Sequence, residues 1–132
     1  MATTGRCHCG AISYVAAGPP DHHALCHCDD CRRWSGAPMS GWIAWPEDRV
    51  TISGTPVRYR SSTSGSREFC GACGTGLFYR NAAVVPGMVD VQTATLDDPE
   101  TLPPMLQSQL AERLDWMTHV DELPGFERCP GV

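Results

Sequence analysis

The sequence predicts an all-β (mainly β), antiparallel domain stabilised by zinc, and three observations predict it. Thirteen glycines and 11 prolines punctuate the chain, and the runs between them are short and rich in Val, Ile, Thr, Tyr and Trp, residues that suit a pleated, half-buried surface. From Met88 to Thr95, Met88, Asp90, Gln92 and Ala94 alternate with Val89, Val91, Thr93 and Thr95, the period of two expected of a strand with one buried face. Seven of the eight cysteines fall in clusters with metal-ligand spacing.

Taken in order, strands are expected at residues 11–16, 40–45, 50–53, 56–60, 68–69, 75–79 and 88–95. Two segments read as helical. One is a short turn at residues 29–34; the other is 105–120, where Leu106, Leu110, Leu114 and Met117 recur at spacings of four and three. Residues 60–67, RSSTSGSR, read as a polar loop inside one domain, because cysteines on either side of it are expected to share a site. With 132 residues the chain has room for a single domain spanning 1–132. Trp34, Trp42, Trp45 and Trp116 are expected as core or groove wall.

Composition excludes several functions. Hydrophobic residues make up 42% and charged residues 19%, too apolar for a disordered chain, while the apolar runs are too short to span a membrane. Ten Lys and Arg against 15 Asp and Glu give a formal charge of −5, the wrong sign for neutralising a phosphate backbone, so no nucleic-acid partner is expected. The start, MATTGRCHCG, has no apolar signal region, and the expected compartment is the cytoplasm. In a reducing compartment, clustered cysteines argue for metal ligation over disulfides.

The clusters are Cys7 and Cys9 (CHC), Cys26, Cys28 and Cys31 (CHCDDC), and Cys70 and Cys73 (CGAC), with Cys129 alone as a tail residue of no assigned role. A CxxC turn followed by glycine brings two sulfurs to one side at little cost, and Cys70-Gly71-Ala72-Cys73-Gly74 has that form. The CxC pair Cys7 and Cys9, with Gly10 behind it, is its natural complement. That pairing gives a closed four-thiolate site and leaves Cys26, Cys28 and Cys31 as a three-sulfur set with a coordination position open. Closed zinc sites are normally structural and open ones catalytic. The alternative is a histidine that closes the triplet, with His27, His8, His22, His23 and His119 as candidates. An iron–sulfur cluster is a further possibility for four cysteines, although a compact CxC plus CxxC suits a mononuclear zinc better.

These motifs resemble the glutathione-dependent formaldehyde-activating enzyme family, which includes centromere protein V-like members. The resemblance runs along nearly the whole chain, through CHCGAISY at Cys7, LCHCDDCRRWSGAP at Leu25, PVRYRSS at Pro56, REFCGACGTGLFYR at Arg67 and VQTATLDDPETLPP at Val91. It implies a β-tent of two antiparallel sheets joined over a structural zinc held by Cys7, Cys9, Cys70 and Cys73, with a catalytic zinc on Cys26, Cys28 and Cys31. It also implies a strand, in place of the helix that leucine spacing suggests, within 105–120, where Gln107 stands near the position at which family members usually carry a histidine.

The function implied is a carbon–sulfur lyase or synthase, which joins a small glutathione-like thiol to an aldehyde such as formaldehyde through a zinc-bound thiolate. Three thiolates make a zinc a poor activator of water and a better host for an exchanging thiol. Arg32, Arg33 and Arg67 flank the cysteine clusters and are candidates for a substrate carboxylate. The rival reading is a non-catalytic zinc-stabilised β module that binds a protein partner.

Overall fold

The computed structural model describes residues 1–131. In chain order its elements are β1 (Ala2–Arg6), β2 (Ser13–Ala17), β3 (His22–Cys26), α1 (Asp29–Ser35), β4 (Ser40–Pro46), β5 (Val50–Ser53), β6 (Val57–Arg60), β7 (Gly65–Phe69), β8 (Gly76–Asn81), β9 (Met88–Gln92) and β10 (Leu106–Ser108). Short 3-10 turns make up the remaining helical structure, the longest of them at Asp115–Glu122. The protein is therefore mostly β, with two sheets and few short helices.

The smaller sheet has the order β1-β2-β5 and the larger β10-β3-β4-β9-β8-β7-β6. Every pairing is antiparallel except that of β10 with β3, which is parallel and corrects the expectation of purely antiparallel sheets. The buried faces of the two sheets meet in a core of Ile12, Tyr14, Ile43, Trp45, Phe78 and Val91, among others. Tyr14 and Phe78 pack edge to face across it, with ring centres 5.5 Å apart. Alternation along β9 points Val89 and Val91 into this core, both with no exposed surface, as the sequence period predicts.

Two strands are absent from the sequence expectations. β1 is the unremarkable run ATTGR, but it pairs with β2 from Ala2↔Ala17 to Arg6↔Ser13. Gly5 is required there, because a Cβ would run into the Tyr14 hydroxyl and the Thr95 carbonyl. β3, HHALC, has little strand propensity, yet it lies between β4 and β10 in the larger sheet; here tertiary pairing outweighs local preference. Residues 60–67 are also more ordered than a polar loop. Only the tip around Ser61 to Ser64 turns, and β7 has already begun at Gly65.

The segment 105–120 is not an α-helix. Leu106–Ser108 adds to the edge of β3, Gln109 takes a left-handed conformation (φ 59°), and 3-10 turns follow at Leu110–Glu112 and Asp115–Glu122. Gln109 interrupts any continuous helix. Leu106 and Leu110, the start of the leucine series, remain nearly half exposed, so they do not form the buried face of a core helix. The strand implied by the resemblance is present but covers three residues.

Candidate metal centres

Two turns of the same design bring the first four cysteines together. After β1, the Cys7 amide bonds to the Ile12 carbonyl (2.9 Å) and the Ile12 amide to Cys7 Sγ (3.3 Å), with Gly10 at φ 82°. Between β7 and β8, the Cys70 amide bonds to the Thr75 carbonyl (2.9 Å) and the Gly74 amide to the Cys70 carbonyl (2.8 Å), with Gly74 also at φ 82°. Both positive φ values favour glycine and let each turn close beneath its sulfurs. The Thr75 hydroxyl meets the His8 amide (3.0 Å) and Cys73 Sγ (3.2 Å), linking the two turns. Thr75 is a support that the cysteine spacing does not reveal.

The sulfurs of Cys7, Cys9, Cys70 and Cys73 all lie within 4.8 Å of one another. Cys7–Cys9 and Cys9–Cys70 are each separated by 3.7 Å. A tetrahedron with metal–sulfur bonds of ~2.3 Å has edges of roughly 3.8 Å, so the spacing fits a tetrahedral thiolate site and is far too long for a disulfide. All eight cysteines are free. The Thr75 hydroxyl and amide hold the Cys73 thiol down to about 5, toward the thiolate that a metal requires.

The triplet is built differently. Cys26 ends β3, Cys28 caps α1 by accepting a bond from the Cys31 amide (3.3 Å), and Cys31 sits in the helix's first turn. Their three sulfurs also lie within 4.8 Å of one another. Cys31 is buried, while Cys26 and Cys28 are partly exposed. A hydrogen bond from Cys31 holds the Cys26 thiol down to about 5, and the Cys31 thiol is correspondingly raised by Cys26 and by burial.

Among the described residues, no histidine nitrogen joins this triplet. His27 is buried, and its Nε2 pairs with Gln107 Oε1 at 2.9 Å, while its amide bonds to the Ser108 carbonyl (3.1 Å). β10 thus lies beside the triplet and fastens the residue between two of its cysteines. Both donor sets consist of soft sulfurs and suit zinc. The structure supplies four sulfurs in one place and three in the other.

The three arginines have distinct surroundings. Arg33 lies on the surface, with Nε 3.0 Å from both Asp29 carboxylate oxygens. Arg32 donates to the His27 carbonyl (3.3 Å) and lies 3.5 Å from Asp29. Arg67 is buried and aims both terminal nitrogens at Cys31 Sγ, each at 3.8 Å. Beside it opens a groove of about 390 Å³ lined by Asp30, Arg33, Trp34, Tyr59, Ser61 and Arg67. Trp45 is in the core and Trp116 is exposed; Trp34 and Trp42 form part of the wall around Arg67. Cys129 is exposed and joins neither cluster. No helix among the described residues is long and apolar enough to cross a membrane.

The sequence profile of a family described as glutathione-dependent formaldehyde-activating enzyme matches residues 2–111. An uncharacterised lyase of Schizosaccharomyces pombe is 32% identical over 75 residues, which cover 57% of this chain and 55% of that protein. The match thus spans about half the length of that curated relative. A crystal structure of a Rhodobacter sphaeroides protein superposes with a TM-score of 0.63 at 23% identity, over 80% of this chain and 99% of that one, and shares the fold.

Proposed function

The chain belongs to the glutathione-dependent formaldehyde-activating enzyme family, and from that premise we propose that it is a zinc-dependent carbon–sulfur lyase or synthase acting on a small thiol and an aldehyde. The observation that carries this reading is the unequal sulfur count: four in the closed set that includes Cys7 and Cys70, three in the set of Cys26, Cys28 and Cys31. In this reading the first ion is structural and the second catalytic. An ion on the triplet would supply a Lewis acid that takes an incoming thiol as its thiolate.

The remaining work falls to the chain. Cys26, Cys28 and Cys31 would hold the ion from two elements, the end of β3 and the start of α1. The groove beside Arg67 receives the body of the thiol, with Arg33 on its rim available to a carboxylate. In the forward direction the thiol sulfur bonds to the aldehyde carbon, the carbonyl π pair moves to oxygen, and the thiol's proton ends on that oxygen through solvent. The product is an S-hydroxyalkyl thioether, and nothing is oxidised or reduced. Cleavage is the reverse. Glutathione and formaldehyde are the substrates that the family description suggests.

The experiment is thiol–aldehyde exchange followed by NMR, comparing wild type with Cys28→Ser at matched protein and zinc. Thiol and formaldehyde react without help, so the protein-free rate is the reference. Wild type should exceed it and Cys28→Ser should fall to it. Equal, protein-free rates for both across glutathione and several other thiols would leave a zinc-stabilised scaffold as the better reading.

A further inference from the structure

Arg67 carries a charge that the structure leaves with one acceptor. It stands on β7 with 6% of its surface exposed. Its guanidinium carbon lies 5.3, 5.8 and 5.0 Å from the ring centres of Trp34, Trp42 and Tyr79. The adjacent carboxylate, Glu68, is engaged by Arg80 (2.7 Å) and Arg58 (3.7 Å). Among the described residues no carboxylate pairs with Arg67, and its recorded side-chain hydrogen bonds go to Cys31 Sγ. Ring faces favour a cation but do not neutralise it, and a buried charge without a counter-charge is costly.

We propose that Arg67 is a positioning residue whose fixed charge offsets the negative charge of the Cys26, Cys28 and Cys31 set and thereby lets that set accept a further anionic sulfur. The proposal rests on the open-position reading given above. Three thiolates around a divalent ion leave one net negative charge, and a fourth thiolate adds another. The Arg67 guanidinium, held against the most buried of the three sulfurs, compensates for that increment. Among the described residues, the closed set that includes Cys7 and Cys70 has no such arginine bonded to its sulfurs, in keeping with a site that takes on no further anion. The aromatic walls serve to keep the guanidinium in place and dry, which strengthens its field at Cys31.

The test uses the full chain loaded with cobalt(II), whose sulfur-to-metal absorption reports ligand exchange directly. Wild type, Arg67→Met, Arg67→Gln and Arg67→Lys are titrated with 2-mercaptoethanol, which carries no charge except on its sulfur, and separately with neutral imidazole. Arg67→Met should weaken thiol binding by roughly tenfold to a hundredfold, the scale of one lost charge interaction across a partly buried contact. Imidazole affinity should stay within about twofold, and Arg67→Lys should recover most of the thiol affinity. Arg67→Gln keeps donors for Cys31 without the charge, and carries the same expectation as Arg67→Met where the latter does not fold. Unchanged thiol affinity in a folded neutral variant, or equal loss of thiol and imidazole, would overturn the proposal while leaving the open site intact. A wild type that takes neither ligand would overturn the open-position reading, and this proposal with it.

Discussion

Cys9 Sγ lies 3.7 Å from Cys70 Sγ although 61 positions separate them in the chain. Cys9 follows a strand of the smaller sheet and Cys70 a strand of the larger one, so the contact fastens the two sheets at one end of their shared core. A structural zinc in a small domain is worth ~10–16 kcal/mol, comparable to or larger than the ~5–15 kcal/mol net stability of a typical domain. Cys73→Ser should therefore yield little folded, soluble protein. Zinc content and a thermal melt check this; full zinc content with an unchanged melt would contradict it.

The triplet should behave otherwise. Its cysteines come from the end of β3 and the start of α1, both in the larger sheet's neighbourhood, and two of the three are partly exposed. A mild chelator should remove one zinc equivalent first, with the circular dichroism spectrum unchanged, and Cys28→Ser should lower the melting temperature by only a few degrees, equivalent to about 1 kcal/mol. Chelator titration with simultaneous zinc release and circular dichroism distinguishes this from loss of both metals in a single unfolding step.

Gly76 and Trp34 are matched. A Cβ at Gly76 would run into the Trp34 indole and the Gln92 amide, and that indole is one of the rings around Arg67. Gly76→Ala should cost about 1–3 kcal/mol of stability as the ring is displaced. Chemical denaturation reads the cost, and tryptophan fluorescence reads the displacement. A variant with unchanged stability and unchanged fluorescence would show that the ring is not held there.

Burial raises the Asp90 carboxyl to about 6, with His22 opposing the rise. An unfolded aspartate titrates near ~3.9. Between about pH 4 and pH 6 the native chain therefore holds a proton that the unfolded chain has released, and this group's contribution to stability falls as pH rises through that window, the deficit remaining above it. Asp90→Asn should be more stable than wild type by about 1–2 kcal/mol near pH 8 and indistinguishable from it at about pH 4. Urea denaturation across that range tests the sign. Parallel wild-type and variant curves would contradict it.

The grouping of the cysteines was legible in the sequence because CxC, CxxC and the CHCDDC run are local patterns whose sulfur counts can be matched without coordinates. Four of the strand expectations fell within one or two residues at both ends and β5 fell on its residues, because Gly and Pro mark most of those ends. β1 and β3 were not legible: ATTGR and HHALC become strands through partners elsewhere in the chain. The leucine series after Met105 misled because spacing alone does not reveal how far a face is buried, and Leu106 and Leu110 stay nearly half exposed. Arg67 was visible as a charge near a cysteine cluster, but its direction was not. Only the sheet register places it over Cys31, with Tyr79 opposite it on β8 and Trp42 on β4.

The difference between a four-sulfur and a three-sulfur site is read most directly by ¹¹³Cd NMR of the cadmium-substituted protein. Two resonances are expected, of which one is unmoved by added glutathione and survives in Cys28→Ser, while the other shifts with glutathione and is lost in that variant. Two resonances that both ignore glutathione, or a single resonance abolished by Cys73→Ser alone, would contradict that expectation.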